Sequence, residues 1–209
     1  MMAAAFTPHA VSPLVDDLAT ARFVGADRAK LLALADLSQQ PRFGCKGPGA
    51  AQWLAALGVP IPAAPNSACT LAGQGYVLRL GVTEFLIEGD ADLVATLSAA
   101  PRAAGVYPVL RQDACLLLTG SALPSLLLQT CNVNFAALDL NLSPVVLTSM
   151  VGVGVTVLPE NKNGSHCYRV WCDGSYGRYL WQTLCAIAEE LGGGAVEAST
   201  GERTSASLI

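Results

Sequence analysis

Two glutamates four residues apart are the first candidates for chemistry in this sequence. Glu84 and Glu88 lie in the strand-like segment 84–89, "EFLIEG", and side chains at this spacing in a strand point to the same face. Paired carboxylates can act as general acid and base, or they can bind a cationic group. The same alternation suits the mixed outer face of a sheet, with Phe85 and Ile87 on the other side, and this interpretation is favoured. Arg79 is expected to lie near this face and to pair with a glutamate.

The densest group of arginines and aromatic residues lies in the segment 168–181. Both residue types are enriched at protein interfaces, and both also stack on ring-shaped ligands such as a pterin. Interface and core together are favoured over a ligand site. Together with the three charged residues discussed above, five residues of this segment form the candidate interface or vestigial ligand cluster. The whole set is Arg79, Glu84, Glu88, Arg169, Trp171, Arg178, Tyr179 and Trp181.

A glycine-rich turn in "RFGCKGPGAAQWL", residues 42–54, stands between a strand-like and a helix-like segment. A dinucleotide site would need G-x-G-x-x-G, and a P-loop would need Lys after its last glycine, whereas Lys46 precedes Gly47. Pro48 suits the first position of a helix, and Gly47 is acceptable as its cap. The turn therefore predicts a helix start and no bound phosphate.

Other catalytic and metal-binding patterns are missing from the sequence. Its seven cysteines are scattered singly, and its two histidines, His9 and His166, are far apart. A zinc site needs about four converging ligands, and a catalytic triad needs a histidine beside its nucleophile. We therefore predict no catalytic residue and no metal site in this chain, and we assign no cofactor-binding residue.

The composition is unusual for a soluble domain. The net charge is −4 with a pI near 5.1, which argues against nucleic acid and anionic membranes as partners. Hydrophobic residues make up 52% and charged residues 13% of the 209 positions, against about 25% charged in an average domain. The longest apolar run, 145–158, is too short to span a bilayer, and the N-terminus is unlike a signal peptide. We expect a cytoplasmic subunit of a larger assembly.

Two halves of the chain repeat the same order of elements. Gly47 and Gly120 each end a strand-like segment before a helix, and Asp90 and Asp173 each directly precede a helix. The pattern predicts an α+β fold of two similar strand-helix-strand-strand-helix lobes. The expected domains are an N-terminal arm at 1–35, with a helical pattern over 14–38, a domain at 36–194 with lobes at about 36–104 and 105–194, and a flexible tail at 195–209.

Three segments carry a family resemblance. "LSQQPRFGCKGPGAAQWLAALGVPIPAAPNS", "TGSALPSLLLQTCNVNFAALDLNLSPVVLTSMVGVGVTVLPE" and, most specifically, "YRVWCDGSYGRYLWQTL" resemble γ subunits of heterotetrameric sarcosine oxidases, and those of the related N-methylglutamate dehydrogenases. The resemblance covers roughly residues 36–193 and extends to the folate-binding fold of the glycine-cleavage T-protein. It implies a glycine-cleavage T-protein-like architecture for both lobes.

The resemblance also implies a function. In the family, the α subunit holds NAD and a tetrahydrofolate-binding domain, β holds FAD, FMN lies between them, δ binds zinc, and γ packs against the others. This chain is then a non-catalytic γ-type subunit of a sarcosine-oxidising complex that binds no cofactor itself. The segment "MVGVGVTVL" lacks the catalytic aspartate of the T-protein, and its folate-binding arginine segment has no counterpart. A stand-alone tetrahydrofolate-binding transferase or regulator, or an unrelated interaction module, are the alternatives.

Overall fold

The chain forms two β-sheets that pack face to face, each with two helices on its outer side. The computed structural model describes residues 11–71, 75–162 and 164–198. In chain order the elements are α1 (Val15–Thr20), α2 (Ala26–Leu31), β1 (Ala33–Asp36), β2 (Arg42–Lys46), α3 (Ala50–Ala56), β3 (Ser67–Thr70), β4 (Tyr76–Arg79), β5 (Glu84–Glu88), α4 (Ala91–Ala99), β6 (Tyr107–Val109), β7 (Ala114–Thr119), α5 (Leu123–Thr130), β8 (Val146–Met150), β9 (Val153–Lys162), β10 (Ser165–Cys172), α6 (Gly174–Glu190) and β11 (Gly194–Ala195).

Three apolar layers hold the sheets and helices together. The five-stranded sheet has the order β3-β4-β5-β2-β6, and the six-stranded sheet has the order β11-β1-β7-β10-β9-β8. Helices α3 and α4 cover the first sheet, and α5 and α6 cover the second. A third buried cluster lies between the sheets, with Leu78 and Leu86 from one and Leu158 and Trp171 from the other. No helix in the described ranges is both long and apolar enough to cross a bilayer.

The two-lobed α+β prediction is confirmed, with one more strand in each repeat than expected. Each repeat runs strand, helix, three strands and helix: β2 to α4, and β7 to α6. The sequence hid the division between β8 and β9 because their two-residue turn contains Val151, with φ of 45°, in a conformation usually taken by glycine or asparagine. In the first repeat, the strand that was not predicted is β3. It directly follows a proline-rich connector, and the sequence of the two together is typical of a loop.

The strand before each repeat pairs with the sheet of the other repeat. β1 precedes the first repeat but pairs with β7, and β6 precedes the second repeat but pairs with β2. The two sheets consequently share one strand order, in which β6 and β1 occupy equivalent places. The predicted boundaries at residues 35, 104 and 194 stay predictions, but this exchange ties the two lobes together near two of them.

The repeated glycines lie where backbone approaches backbone. Gly47 has φ of 119° and Gly120 has φ of 124°, and a Cβ on either would overlap a carbonyl oxygen, that of Gly105 or Leu31. The prediction that Gly47 caps the helix was wrong, because α3 begins at Ala50 with Gly49 as its N-cap. The glycine at the end of the strand is needed for the sharp exit from the sheet.

The predicted helix starts at the two aspartates are confirmed. The Asp90 carboxylate accepts a hydrogen bond from the Leu93 backbone N–H at 2.7 Å, and the Asp173 carboxylate accepts one from that of Ser175 at 2.8 Å. These bonds satisfy backbone donors that have no partner within the helix. The bonds from Ser175 also hold the pKa of the Asp173 carboxyl below its usual value.

Replacing Asp90 with alanine is expected to lower the free energy of unfolding by about 1 kcal/mol, because α4 loses its cap. Asparagine at the same position should keep most of the stability. Urea unfolding of the full chain measures the difference. Asp92 lies exposed in the first turn of α4 without a capping role, so Asp92→Ala is the matched control. An equal loss in the Asp92 variant would contradict the assignment.

Both ends of the described chain depart from the sequence prediction. The helical pattern over 14–38 breaks into α1, α2 and strand β1, because Leu32 to Ala35 are buried and can complete the sheet beside β7. At the other end, residues 195–198 of the predicted tail lie against the second sheet: β11 pairs with β1, and the buried Val196 donates its N–H to the Leu34 carbonyl at 2.8 Å. Residues 1–10 and 199–209, including His9, lie outside the described residues.

Candidate functional site

The main polar site lies between the two sheets, around Glu88. The Glu88 side chain ends β5 and is 3% exposed. Its carboxylate accepts hydrogen bonds from Arg42 Nε at 2.8 Å, from Trp171 Nε1 at 3.1 Å and from Arg169 Nη1. One carboxylate thus joins β2 and β5 of the first sheet to β10 of the second.

Strand register explains why these residues meet. Arg42 pairs directly with Glu88 across β2 and β5, so their side chains lie on the same face, which is the face between the sheets. In the opposite sheet, Arg169 and Trp171 are two residues apart on β10 and therefore share the facing side. The site is formed only when the two sheets pack together.

The Arg42 guanidinium donates four hydrogen bonds. Besides Glu88, it donates to the backbone carbonyls of Leu37 at 2.7 Å, Ser38 at 3.0 Å and Asp113 at 3.2 Å. These carbonyls lie in the segment after β1 and just before β7. Arg42 therefore connects the first sheet to the segment that follows β1 and to the segment that precedes β7.

Arg169 has an aromatic and an acidic neighbour. Its guanidinium lies over the Tyr76 ring, 5.0 Å from the ring centre, and the Tyr76 hydroxyl donates to Glu160 at 2.8 Å. Burial, the largest single effect, would lower the pKa of the Arg169 guanidinium, but the surrounding acidic groups, first among them the Glu88 carboxylate, together more than offset it, and the pKa is raised. Both buried arginines are therefore charged and compensated by nearby carboxylates.

This arrangement suits structure better than catalysis. The Glu88 carboxylate is enclosed and already accepts three hydrogen bonds, so a substrate has no access to it. The nearby Cys115 is fully buried, and burial raises the pKa of its thiol, as it raises the pKa of Cys45 and Cys172 to about 11. These sulfurs stay protonated at neutral pH and are poor nucleophiles.

The two glutamates share a face, as predicted, but that face is not the outer one. It packs against the second sheet, because both faces of β5 are covered and Leu86 is buried between the sheets. Glu84, at the partly exposed end of β5, pairs with Arg111 at 2.7 Å. The expected pairing of Arg79 with a glutamate was wrong, because Arg79 is opposite Phe85 on the other face. Arg79 donates instead to the carbonyls of Pro62 and Val82.

The remaining predicted residues lie apart from Glu88, on the helical side of the second sheet. Trp181 is buried in the core beneath α6, whereas Tyr179 is exposed and its hydroxyl donates to the Val151 carbonyl at 3.2 Å. Arg178 is exposed, and its Nε lies 3.5 Å from an Asp17 carboxylate oxygen. The aromatic–arginine segment is thus divided between two sides of the sheet, and only Glu88, Arg169 and Trp171 come together.

Sequence reasoning missed Arg42 and Arg111, the partners of the two glutamates. Both arginines occur in short segments without a motif, and their partners are 46 and 27 residues away. An antiparallel pairing of β2 with β5 would have placed Arg42 opposite Glu88. The spacing of residues within either segment does not predict that these two strands pair.

Two shallow clefts lie on the surface of the described residues. One, of about 270 Å³, lies at the β3–β9 end of the space between the sheets and includes Cys69, Tyr76 and Glu160. The other, of about 170 Å³, includes Lys30, Ser121 and His166. Within the described parts of the chain, no group of three or more histidine, cysteine, aspartate or glutamate residues could hold a metal ion.

Comparison with known proteins was informative at the level of structure. No family model matches the sequence, and no curated protein matches it. A chain of the heterotetrameric sarcosine oxidase from Corynebacterium sp. U-96, solved with pyrrole 2-carboxylate, superposes with a TM-score of 0.63 and 22% identity over 89% of this chain and 98% of that chain. The glycine cleavage system aminomethyltransferase T from Bartonella henselae gives a TM-score of 0.61 and 14% identity over 88% of this chain and 58% of that chain.

These likenesses define the fold. The chain has the α+β fold of the glycine-cleavage T-protein, built here from two exchanged β-α-β-β-β-α repeats. A chain of a heterotetrameric sarcosine oxidase shares that fold over nearly its whole length.

Proposed function

We propose that this protein is a non-catalytic, γ-type subunit of a multi-subunit flavoenzyme that oxidises sarcosine or a related N-methyl amino acid. The observation that supports the proposal most is the superposition with a chain of a heterotetrameric sarcosine oxidase over 89% of this chain and 98% of that chain. The match to the aminomethyltransferase covers only 58% of that longer enzyme. The chain therefore corresponds in extent to the oxidase chain rather than to a complete transferase.

The internal chemistry supports a structural role. The charged residues at the centre of the fold bond to one another, and the buried thiols stay protonated. In addition, the segment from Met150 to Leu158, which contains the turn between β8 and β9 and the first part of β9, has no acidic residue. On this proposal the chain supplies shape and contact surface, and the chemistry takes place on other subunits.

The proposal includes the composition of the complex. α-type, β-type and δ-type subunits would carry NAD and tetrahydrofolate, FAD, and zinc, respectively, with FMN between α and β. The product of demethylation would pass as a one-carbon unit to tetrahydrofolate. This chain would bind none of these groups itself.

Co-expression of the tagged full chain with the α-, β- and δ-type chains of its source organism tests the proposal. We expect one stable complex that retains flavin absorbance and oxidises an N-methyl amine. Omitting this chain should leave most of the α- and β-type chains aggregated or dissociated, because their contact surface for it stays exposed. A stable monomer that ignores these partners would contradict the proposal.

A titration of the isolated chain with tetrahydrofolate tests the alternative of a stand-alone folate protein. Trp171 and Trp181 are both buried, at the sheet interface and in the core beneath α6. We expect no saturable change in their fluorescence, because the side chains of both residues are almost completely buried, at 2% and 3% exposure. Saturable quenching at a low ligand concentration would favour the transferase or regulator instead.

A further inference from the structure

A segment before β1 follows helix α6 from one end to the other. We call it the N-terminal strap, and it comprises residues 12–24, including α1. At one end, Pro13 Cγ would lie 3.4 Å from a Cβ at Gly177, near the start of α6. At the other end, the Val24 N–H donates to the Ala195 carbonyl at 2.9 Å, beyond the end of α6. The strap therefore runs beside a helix that covers the second sheet.

Few side chains of the N-terminal strap are buried. Ser12 and Leu14 are 4% and 0% exposed, whereas every residue of 15–24 is partly or fully exposed. Helix α1 has six residues, none of them buried, and no side-chain cap. In the middle of the strap, the Asp17 carboxylate accepts a hydrogen bond from Gln182 Nε2 at 2.6 Å. Because so little of its surface is buried, we expect the strap to detach locally while the rest of the chain stays folded.

The buried start of the N-terminal strap is bonded to the end of β1. The Ser12 hydroxyl donates to Asp36 Oδ2 at 2.5 Å and accepts a hydrogen bond from the Leu14 N–H at 3.1 Å. The other oxygen of the same carboxylate, Asp36 Oδ1, accepts hydrogen bonds from the Ser38 N–H at 2.9 Å and from the Ser38 hydroxyl. Asp36 thus joins the strap to the segment that follows β1.

The segment that follows β1 is in turn bonded to the network around Glu88. The Ser38 carbonyl accepts a hydrogen bond from Arg42 Nη1 at 3.0 Å, and Arg42 Nε donates to Glu88 at 2.8 Å, between the sheets. The connections made by Ser12 and Asp36 therefore continue through Ser38. One unbroken series of contacts leads from the N-terminal strap to the sheet interface.

We propose that attachment of the N-terminal strap at Asp36 is energetically coupled to the ion pairs of Glu88, so that the strap controls how tightly the two sheets pack. Asp36 fixes the segment whose Ser38 carbonyl positions Arg42, and buried hydrogen bonds of one network strengthen one another. Detachment of the strap therefore weakens the sheet interface, and loss of the Glu88 carboxylate favours detachment of the strap. A molecule that displaces the strap changes the packing of the sheets without touching them. This inference does not depend on the proposed function.

A double-mutant cycle on the full chain tests the coupling. Asp36→Ala removes the attachment of the strap, Glu88→Gln removes the charge between the sheets, and urea unfolding gives the equilibrium constant of unfolding for each variant. We expect the increase of this constant in the double variant to be at least about fivefold smaller than the product of the two single increases. Asp36→Ala with Glu84→Gln is the matched control, since Glu84 lies on the same strand and face but pairs with Arg111. The control effects should multiply to within about twofold.

Hydrogen exchange of the N-terminal strap tests the coupling from the other end. In Glu88→Gln, the amides of residues 14–20 are expected to exchange at least about fivefold faster than in the wild type. Glu84→Gln and Asp90→Ala are the controls, the second because it lowers the stability of the chain at a helix cap outside the network. Both should leave these amides within about twofold of the wild type, because a general loss of stability does not change local opening of the strap.

Two results would each overturn the proposal. One is a cycle in which the Asp36 and Glu88 effects multiply to within about twofold, as they do for independent sites. The other is exchange of the strap in Glu88→Gln that is no faster than in the two controls. If Asp36→Ala does not fold, Ser12→Ala takes its place in the cycle, because it removes one hydroxyl and leaves the Asp36 carboxylate bonded to Ser38.

Discussion

Replacing Glu88 with alanine is expected to lower the free energy of unfolding by about 3–5 kcal/mol, which is the usual cost of breaking a buried ion pair. The variant leaves Arg42 and Arg169 buried without their carboxylate and removes the acceptor of the Trp171 N–H. Glu88→Gln should recover part of the loss, since an amide oxygen still accepts a hydrogen bond but carries no charge. Urea unfolding followed by tryptophan fluorescence measures all three proteins.

The matched control is Glu84, on the same strand and face. Glu84 is partly exposed, and its one ion pair among the described residues is with Arg111, so Glu84→Ala should cost less than about 1 kcal/mol. Equal effects at the two positions would show that the enclosed network does not hold the sheets together. A Glu88 variant with wild-type stability would contradict the structural interpretation of the site directly.

Replacing Gly120 with alanine is expected to cost at least about 3 kcal/mol, because a left-handed backbone and a steric overlap act together. Its φ is 124°, and a Cβ there would lie 2.7 Å from the Leu31 carbonyl carbon and 2.8 Å from Leu32 Cα. Gly47→Ala should have a similar effect, because Gly47 occupies the equivalent corner of the other repeat. Both are measured as shifts in the urea midpoint.

Gly25 provides the control for these two variants. Among the described residues, no atom outside its chain neighbours lies within 4 Å of a Cβ built there, and its φ is −75°. Gly25→Ala should therefore change the stability by less than about 1 kcal/mol. A large loss in Gly25→Ala, or a small loss at both corner glycines, would contradict the account of the repeated corners.

Local patterns were sufficient to predict the fold class and much of its internal repetition. The corner glycines and the two capping aspartates act within a few residues of their own helix, so their types at those positions indicate the structure. The same is true of α6. The helical spacing of apolar and small side chains predicts a helix over about 175–191, and the observed helix differs by one residue at each end. The side chains predicted on its buried face are Tyr176, Leu180, Thr183, Leu184, Ile187 and Leu191. Its buried face was less accurate: Tyr176 is exposed, while Gly177 and Trp181 face the core.

Long-range pairing was beyond the reach of sequence patterns. The exchange of β1 and β6 between the sheets depends on which edges the two repeats leave open, and no local signal specifies it. The partners of Glu88 were missed for the same reason. Alternation along β5 places Glu84 and Glu88 on one face, but only the packing of a second sheet makes that face an interior.

The composition of the complex that contains this chain tests the central claim most directly. The measurement is native mass spectrometry of the tagged full chain, co-expressed with the other subunits, together with flavin content and N-methyl amine oxidation. The account predicts one assembly in which this chain accompanies flavin-bearing chains and contains no cofactor itself. A monomeric chain that binds tetrahydrofolate, in a preparation where the other subunits form an active enzyme without it, would contradict the account.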